Sequence, residues 1–260
     1  MFRYIRAVTL CFFDIIFGYF TWMVPFSRHP ERWPLEYRYA KMRKLVLKIV
    51  KHLHVDYYIT NGEILSQPGT YLFIGNHYSM YDALITVCLS ERPIIFVGKH
   101  EILKWPFFGR IMKGIDCVFI KRNNLRQEIE VMKKVKNSLA EKSVSWAIFP
   151  EGTRNKDIRG KLLPFKAGTF KMALETKTPI VPMTIYGTFR PLNTKYHMKR
   201  FPVQVKFLEP IMPEQYQGMT SVAVSDLVRG RMQVEIDQLR ETDTKLVPVK
   251  ILAKEKRLPS

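Results

Sequence analysis

From residue 55 onward, short runs rich in valine, isoleucine, phenylalanine and tyrosine alternate with longer stretches of helical period, and this alternation restricts the possible folds more than any other feature. Strand-like runs fall at 55–60, 71–74, 94–97, 117–120, 144–149, 180–186 and 203–208, and helical stretches at 81–89, 106–113, 125–141, 164–175 and 221–239. Strands followed by helices bury their apolar faces beneath them, so the pattern predicts an α/β fold with a mixed central sheet flanked by helices. Binding residues are then expected in loops at strand ends. A chain of 260 residues holds one such core with an appendage and is too short for two ordinary enzyme domains. Residues 55–240 are expected to form that core, with 241–260 as a basic, loosely held tail.

The appendage is at the front. Residues 7–26 are almost entirely apolar and aromatic, between Arg3 and Arg6 on one side and Arg28 and Arg32 on the other. The stretch is about long enough to cross a bilayer, yet Asp14 near its middle would be expensive in hydrocarbon. Trp22, Met23 and Pro25 leave no small-residue cleavage site, which excludes a secretory signal. Next, Leu45, Leu47, Ile49, Val50 and Leu53 are set among Arg38, Lys41, Arg43, Lys44, Lys48 and Lys51, the pattern of a basic amphipathic helix. Residues 1–54 are thus expected to form an N-terminal two-helix membrane-associating segment.

Charge narrows the partners. A formal net charge of +19 implies a polyanion, either an anionic membrane surface or nucleic acid. A nucleic-acid binder would interleave basic residues with exposed aromatics in a recognisable module; none stands out, so no nucleic acid is expected. Cys11, Cys88 and Cys117 are odd in number and far apart, which suggests neither a disulfide framework nor a metal site. They read as buried thiols, and nothing argues for an oxidising compartment.

Two stretches carry chemistry. The run GNHYSMYD at 75–82 follows a predicted strand and opens a predicted helix, so His77 and Asp82 lie on a turn where side chains five apart can meet. A carboxylate bound to one imidazole nitrogen fixes the tautomer and leaves the other to accept a proton, which makes His77 a candidate general base oriented by Asp82. As a bare spacing this is weak, since an aspartate capping a helix beside a chance histidine is as common. The second stretch, FPEGTR at 149–154, again ends a predicted strand. Gly152 permits a tight turn with φ > 0 that would bring Glu151 and Arg154 to one rim, with Thr153 between them. Arginine offers a planar fork that matches phosphate oxygens.

Together these stretches resemble the glycerolphosphate and lysophosphatidate acyltransferase family, which pairs an N-H-x-x-x-x-D block with an E-G-T-R block downstream. The resemblance runs through KHEILKWP at 99–106, FIKR at 119–122 and IVPM at 180–183, and covers roughly residues 70–190. It implies that Arg122 is the substrate-binding arginine of the second block, that Lys99 is a further phosphate contact, and that Glu151 accepts a hydrogen bond from glycerol. Lys121 stands where many relatives carry Asp. The implied reaction is direct transfer of a fatty acyl group from acyl-CoA or acyl carrier protein to the hydroxyl of a lysophospholipid acceptor, lysophosphatidic acid above others. No bound cofactor and no metal are expected, and the expected location is the cytoplasmic face of a membrane. Glycerol-3-phosphate or another lysophospholipid is the alternative acceptor; a non-catalytic basic membrane- or nucleic-acid-binding protein is the alternative of another class.

Overall fold

The computed structural model describes residues 9–121 and 124–256, and divides the chain into two compact units woven from alternating segments. One contains the chain up to Leu53 together with Leu65–Thr70 and Ala83–Ala147; the other contains His54–Ile64, Tyr71–Asp82 and the chain from Ile148 onward. The described part of the N-terminal segment thus shares a compact unit with Leu65–Thr70 and Ala83–Ala147.

In the first unit, a helix α1 (Phe12–Gly18) runs through a π-helical stretch, Tyr19–Met23, into α2 (Val24–Arg28). No helix among the described residues is long and apolar enough to cross a membrane. Phe12, Phe13, Phe17 and Phe20 are exposed, Phe13 by 83%, and the expected burden of Asp14 is relieved by Lys48, whose Nζ lies 2.5 Å from its Oδ1. Helix α3 (Leu35–Lys51) is amphipathic as expected, but Tyr39, Met42, Leu45, Val46 and Val50 are all buried. Part of its apolar stripe thus packs in the protein's own core, while Leu47 stays exposed and Ile49 half-buried. Arg38 anchors the helix through a bidentate pair with Asp116 at 2.8 and 2.6 Å and a bond to the Gly114 carbonyl at 2.6 Å.

After β1 (Val55–Thr60) and β2 (Leu72–Gly75) of the second unit, the chain enters α4 (Tyr81–Leu89) and returns to the first. There β3 (Ile94–Lys99) pairs in parallel with β4 (Val118–Ile120), reached through α5 (Phe108–Gly114). β3 also pairs in parallel with β5 (Ser145–Ile148). Between them α6 (Leu125–Ala140) is capped by Asn124, whose side chain accepts from Gln127 N, and buries Val131, Val135 and Leu139 at helical spacing.

The second unit holds the strand order β1-β7-β6-β2, with β6 (Ile180–Tyr186) and β7 (Phe201–Phe207). Every residue of β6 is buried, as its run of isoleucine, valine and methionine requires. β2 joins it in parallel and β7 antiparallel, so the sheet is mixed. α7 (Gly168–Thr176) and the one-turn α8 (Pro213–Tyr216) precede the long α9 (Ser221–Leu246), which buries Val224, Val228, Met232, Ile236 and Leu239. A last helix, α10 (Val249–Lys256), follows. Of the stretch expected as a loose tail, the residues to Leu246 and from Val249 to Lys256 are helical, with Asp243 and Glu255 buried by ionic partners, and 257–260 lie outside the described residues.

Candidate active site

The turn between β2 and α4 is built from the backbone outward. Asn76 is fully buried and clamps Ile185 of β6 in both directions, its amide donating to the carbonyl and accepting from the N–H at 2.8 Å each. The next residue, His77, is thereby delivered just past the end of the sheet. Its Nδ1 lies 2.8 Å from Asp82 Oδ2, and that oxygen also accepts from Tyr78 N at 2.7 Å and Ser79 N at 2.8 Å. Three donors converge on one carboxylate oxygen, so the carboxylate is held in one orientation and Nδ1 carries the proton. Nε2 is left to accept another. The ring stacks on Phe149 with centroids 4.5 Å apart, and the side chain is about one-fifth exposed.

A second loop grips His77 by its main chain. Glu151 Oε1 accepts from His77 N at 2.8 Å, and Asn155 N donates to the His77 carbonyl at 2.6 Å. The other Glu151 oxygen accepts from Leu163 N at 3.1 Å. Burial pushes the Glu151 carboxyl up to about 7, while the N–H bonds from His77 and Leu163 and the charge of His77 act against it. Gly152 takes φ 65°, a left-handed backbone that favours glycine, while the one atom a Cβ would crowd is the flexible end of the Lys166 side chain. Thr153 and Arg154 follow on the exposed side of this turn.

The structure thus brings His77, Asp82 and Glu151 into direct contact and places Gly152, Thr153 and Arg154 on the same loop as Glu151. Lys99 belongs to the other unit, at the end of β3, where its Nζ is 3.1 Å from Glu101. Arg122 lies outside the described residues. Asn76, Phe149 and Asn155 matter here and were not singled out as site residues. Asn155 acts through its backbone and Phe149 through ring stacking, which leave no spacing signal; Asn76 stood beside the histidine inside the recognised block. Cys88 and Cys117 are buried, and burial pushes both thiols up to about 12, which makes poor nucleophiles of them.

The fold is a mixed α/β sheet flanked by helices, with an imidazole held by a carboxylate on a strand-to-helix turn. The chain belongs to the acyltransferase family, whose family model, described as Acyltransferase, matches residues 56–186. It is 32% identical over 213 residues to the probable 1-acyl-sn-glycerol-3-phosphate acyltransferase of Mycoplasma pneumoniae, covering 76% of this chain and 78% of that one. It is also 32% identical over 177 residues to the 1-acyl-sn-glycerol-3-phosphate acyltransferase of Cocos nucifera, covering 68% of this chain and 56% of that one. The similarity thus spans little more than half the length of that plant relative, and half of the Limnanthes douglasii protein of the same name. The crystal structure of the 1-acyl-sn-glycerophosphate acyltransferase from Thermotoga maritima shares the fold, with a TM-score of 0.69 at 22% identity over 92% of this chain and 98% of that one.

Proposed function

We propose that this chain is a 1-acyl-sn-glycerol-3-phosphate O-acyltransferase, which moves a fatty acyl group from an acyl thioester to the sn-2 hydroxyl of lysophosphatidic acid and so forms phosphatidic acid. The observation that carries this reading is the 2.8 Å contact between His77 Nδ1 and Asp82 Oδ2, on an oxygen already fixed by two backbone N–H groups. His77 Nε2 removes the acceptor's proton as its oxygen attacks the thioester carbonyl. The tetrahedral intermediate collapses, the C–S bond breaks, and the imidazolium returns its proton to the departing thiolate. Asp82 stabilises the imidazolium between the two proton transfers. A thioester is already activated, so no acyl-enzyme is needed.

Arg154 is assigned to the acceptor's phosphate, with Thr153 and the backbone around Gly152 beside it. Lys99 and Arg122 are proposed as further phosphate contacts on the resemblance alone. Glu151, expected as a glycerol contact, also accepts a backbone N–H on each oxygen and so is assigned in addition to holding the His77 main chain in place. The acyl donor is acyl-CoA or acyl carrier protein. The bilayer holding the acceptor is met by the exposed phenylalanines of α1 and the π-helical stretch and by the net positive charge, at the membrane's cytoplasmic face.

The test is incubation of purified protein with lysophosphatidic acid, glycerol-3-phosphate or lysophosphatidylglycerol and each donor type, with the lipid product identified by mass. The reading expects phosphatidic acid from lysophosphatidic acid. Turnover of another acceptor alone would overturn it.

A further inference from the structure

Beside the catalytic turn is a buried ion triad that no step of the chemistry uses. Arg190 is fully buried, and its guanidinium is gripped twice. Nη1 and Nη2 donate to the Asp243 carboxylate at 2.8 and 2.5 Å, while Nε and Nη2 donate to Glu255 at 2.7 and 3.0 Å. Asp243 is near the end of α9 and Glu255 is in α10, so one side chain fastens both C-terminal helices. Two carboxylates facing one guanidinium are costly to desolvate, and burial pushes Asp243 above its ordinary range. Apolar residues of the same volume often stabilise a core as well or better. Stability alone therefore does not explain the triad.

Its neighbours in sequence lead to the chemistry. The Arg190 guanidinium lies 4.6 Å from the ring centroid of Phe189, and Phe189 meets Tyr78 edge-on at 5.6 Å. Thr188 offers its carbonyl to Ser79 Oγ at 2.9 Å. Tyr78 and Ser79 are the residues whose N–H groups hold Asp82 Oδ2 against His77. Gly187 fixes the residue type of the turn: its φ is +90°, and a Cβ would clash with the Pro202 carbonyl. The Tyr78 hydroxyl is buried with no hydrogen-bond partner among the described residues.

We propose that Arg190 is a positioning residue for acyl transfer: clamped by Asp243 and Glu255, it presses Phe189 and Thr188 against Tyr78 and Ser79, so that docking of the C-terminal helices keeps the Asp82 carboxylate aligned with His77. This rests on the assignment of His77 and Asp82 as the catalytic pair.

The experiment compares full-length wild type, Glu255→Gln, Arg190→Met and Arg190→Lys in kcat, KM for lysophosphatidic acid and Tm. A control, Val228→Ala in the buried face of α9, supplies a matched loss of Tm. The expectation is a fall in kcat of about tenfold or more for Glu255→Gln, as for a small misalignment of catalytic groups, with KM little changed. Arg190→Lys should recover part of the loss seen in Arg190→Met, and the control should keep its kcat well below its Tm. Undiminished kcat in Glu255→Gln, or a loss no greater than the control's, overturns the proposal. Should Glu255→Gln not fold, Phe189→Leu, which leaves the triad intact, is held to the same outcome. An inactive wild type would instead count against the proposed function.

Discussion

At the scale of single residues, the chemistry depends on how firmly one imidazole is oriented. Asp82→Asn keeps the size of the side chain but presents a neutral amide to Nδ1 and cannot stabilise an imidazolium. The expected loss in kcat is about 10²–10⁴-fold, measured by single-turnover kinetics with acceptor binding checked separately. Arg154→Ala should act on the acceptor, raising KM for lysophosphatidic acid more than KM for the acyl donor. Glu151 has a pH signature. Its folded value of about 7 lies above the ordinary 4.5, so between these the folded protein keeps a proton that the unfolded chain has lost. The stability contributed by the protonated group is fully present below about pH 4.5 and is lost as pH rises through 7. The difference in Tm between wild type and Glu151→Gln should therefore change across pH 4.5–7 and be flat on either side; a difference constant across that window contradicts the assigned burial.

At the scale of elements, the turn that carries Glu151 has little freedom. Gly152→Ala places a Cβ on a left-handed backbone and should destabilise by about 1 kcal/mol in denaturant titrations. The front of the chain makes a separate prediction. Burying a phenylalanine away from water is worth about 1.5–3 kcal/mol, so replacing Phe13, Phe17 and Phe20 with serine should weaken vesicle binding at least about tenfold. Activity in detergent micelles should survive that change. The strands of the core were legible because runs such as 180–186 are rich in β-branched and apolar residues. His77 and Asp82 were legible because the contact is local to one turn. Two features were not. The apolar stripe of α3 is plain in the sequence, but a stripe does not say whether lipid or protein covers it, and here Leu45 and Met42 are buried in the core. The last residues read as a loose basic tail because what holds α10 is a buried Ile251 and partners far away in sequence, Glu255 with Arg190 sixty-five positions off and Lys254 with the Lys195 carbonyl, and no periodic pattern records them.

For the whole molecule, the net charge of +19 and the exposed aromatic segment describe two kinds of attraction that salt separates. Basic residues near an anionic surface contribute about 1 kcal/mol each, and the Debye length shrinks from about 10 Å at 0.1 M salt to about 3 Å at 1 M. Binding to vesicles containing anionic lipid should fall steeply over that range. Binding to neutral vesicles should be weaker at the outset and nearly independent of salt, as cosedimentation would show.

The central claim is that an imidazole held by Asp82 takes the proton from a lysophospholipid hydroxyl. The most direct measurement is the rate of phosphatidic acid formation by His77→Ala, with lysophosphatidic acid and an acyl thioester at saturation and vesicle binding verified to equal wild type. The rate should fall by about 10²-fold or more with acceptor binding intact. A His77→Ala protein that acylates at the wild-type rate would contradict it.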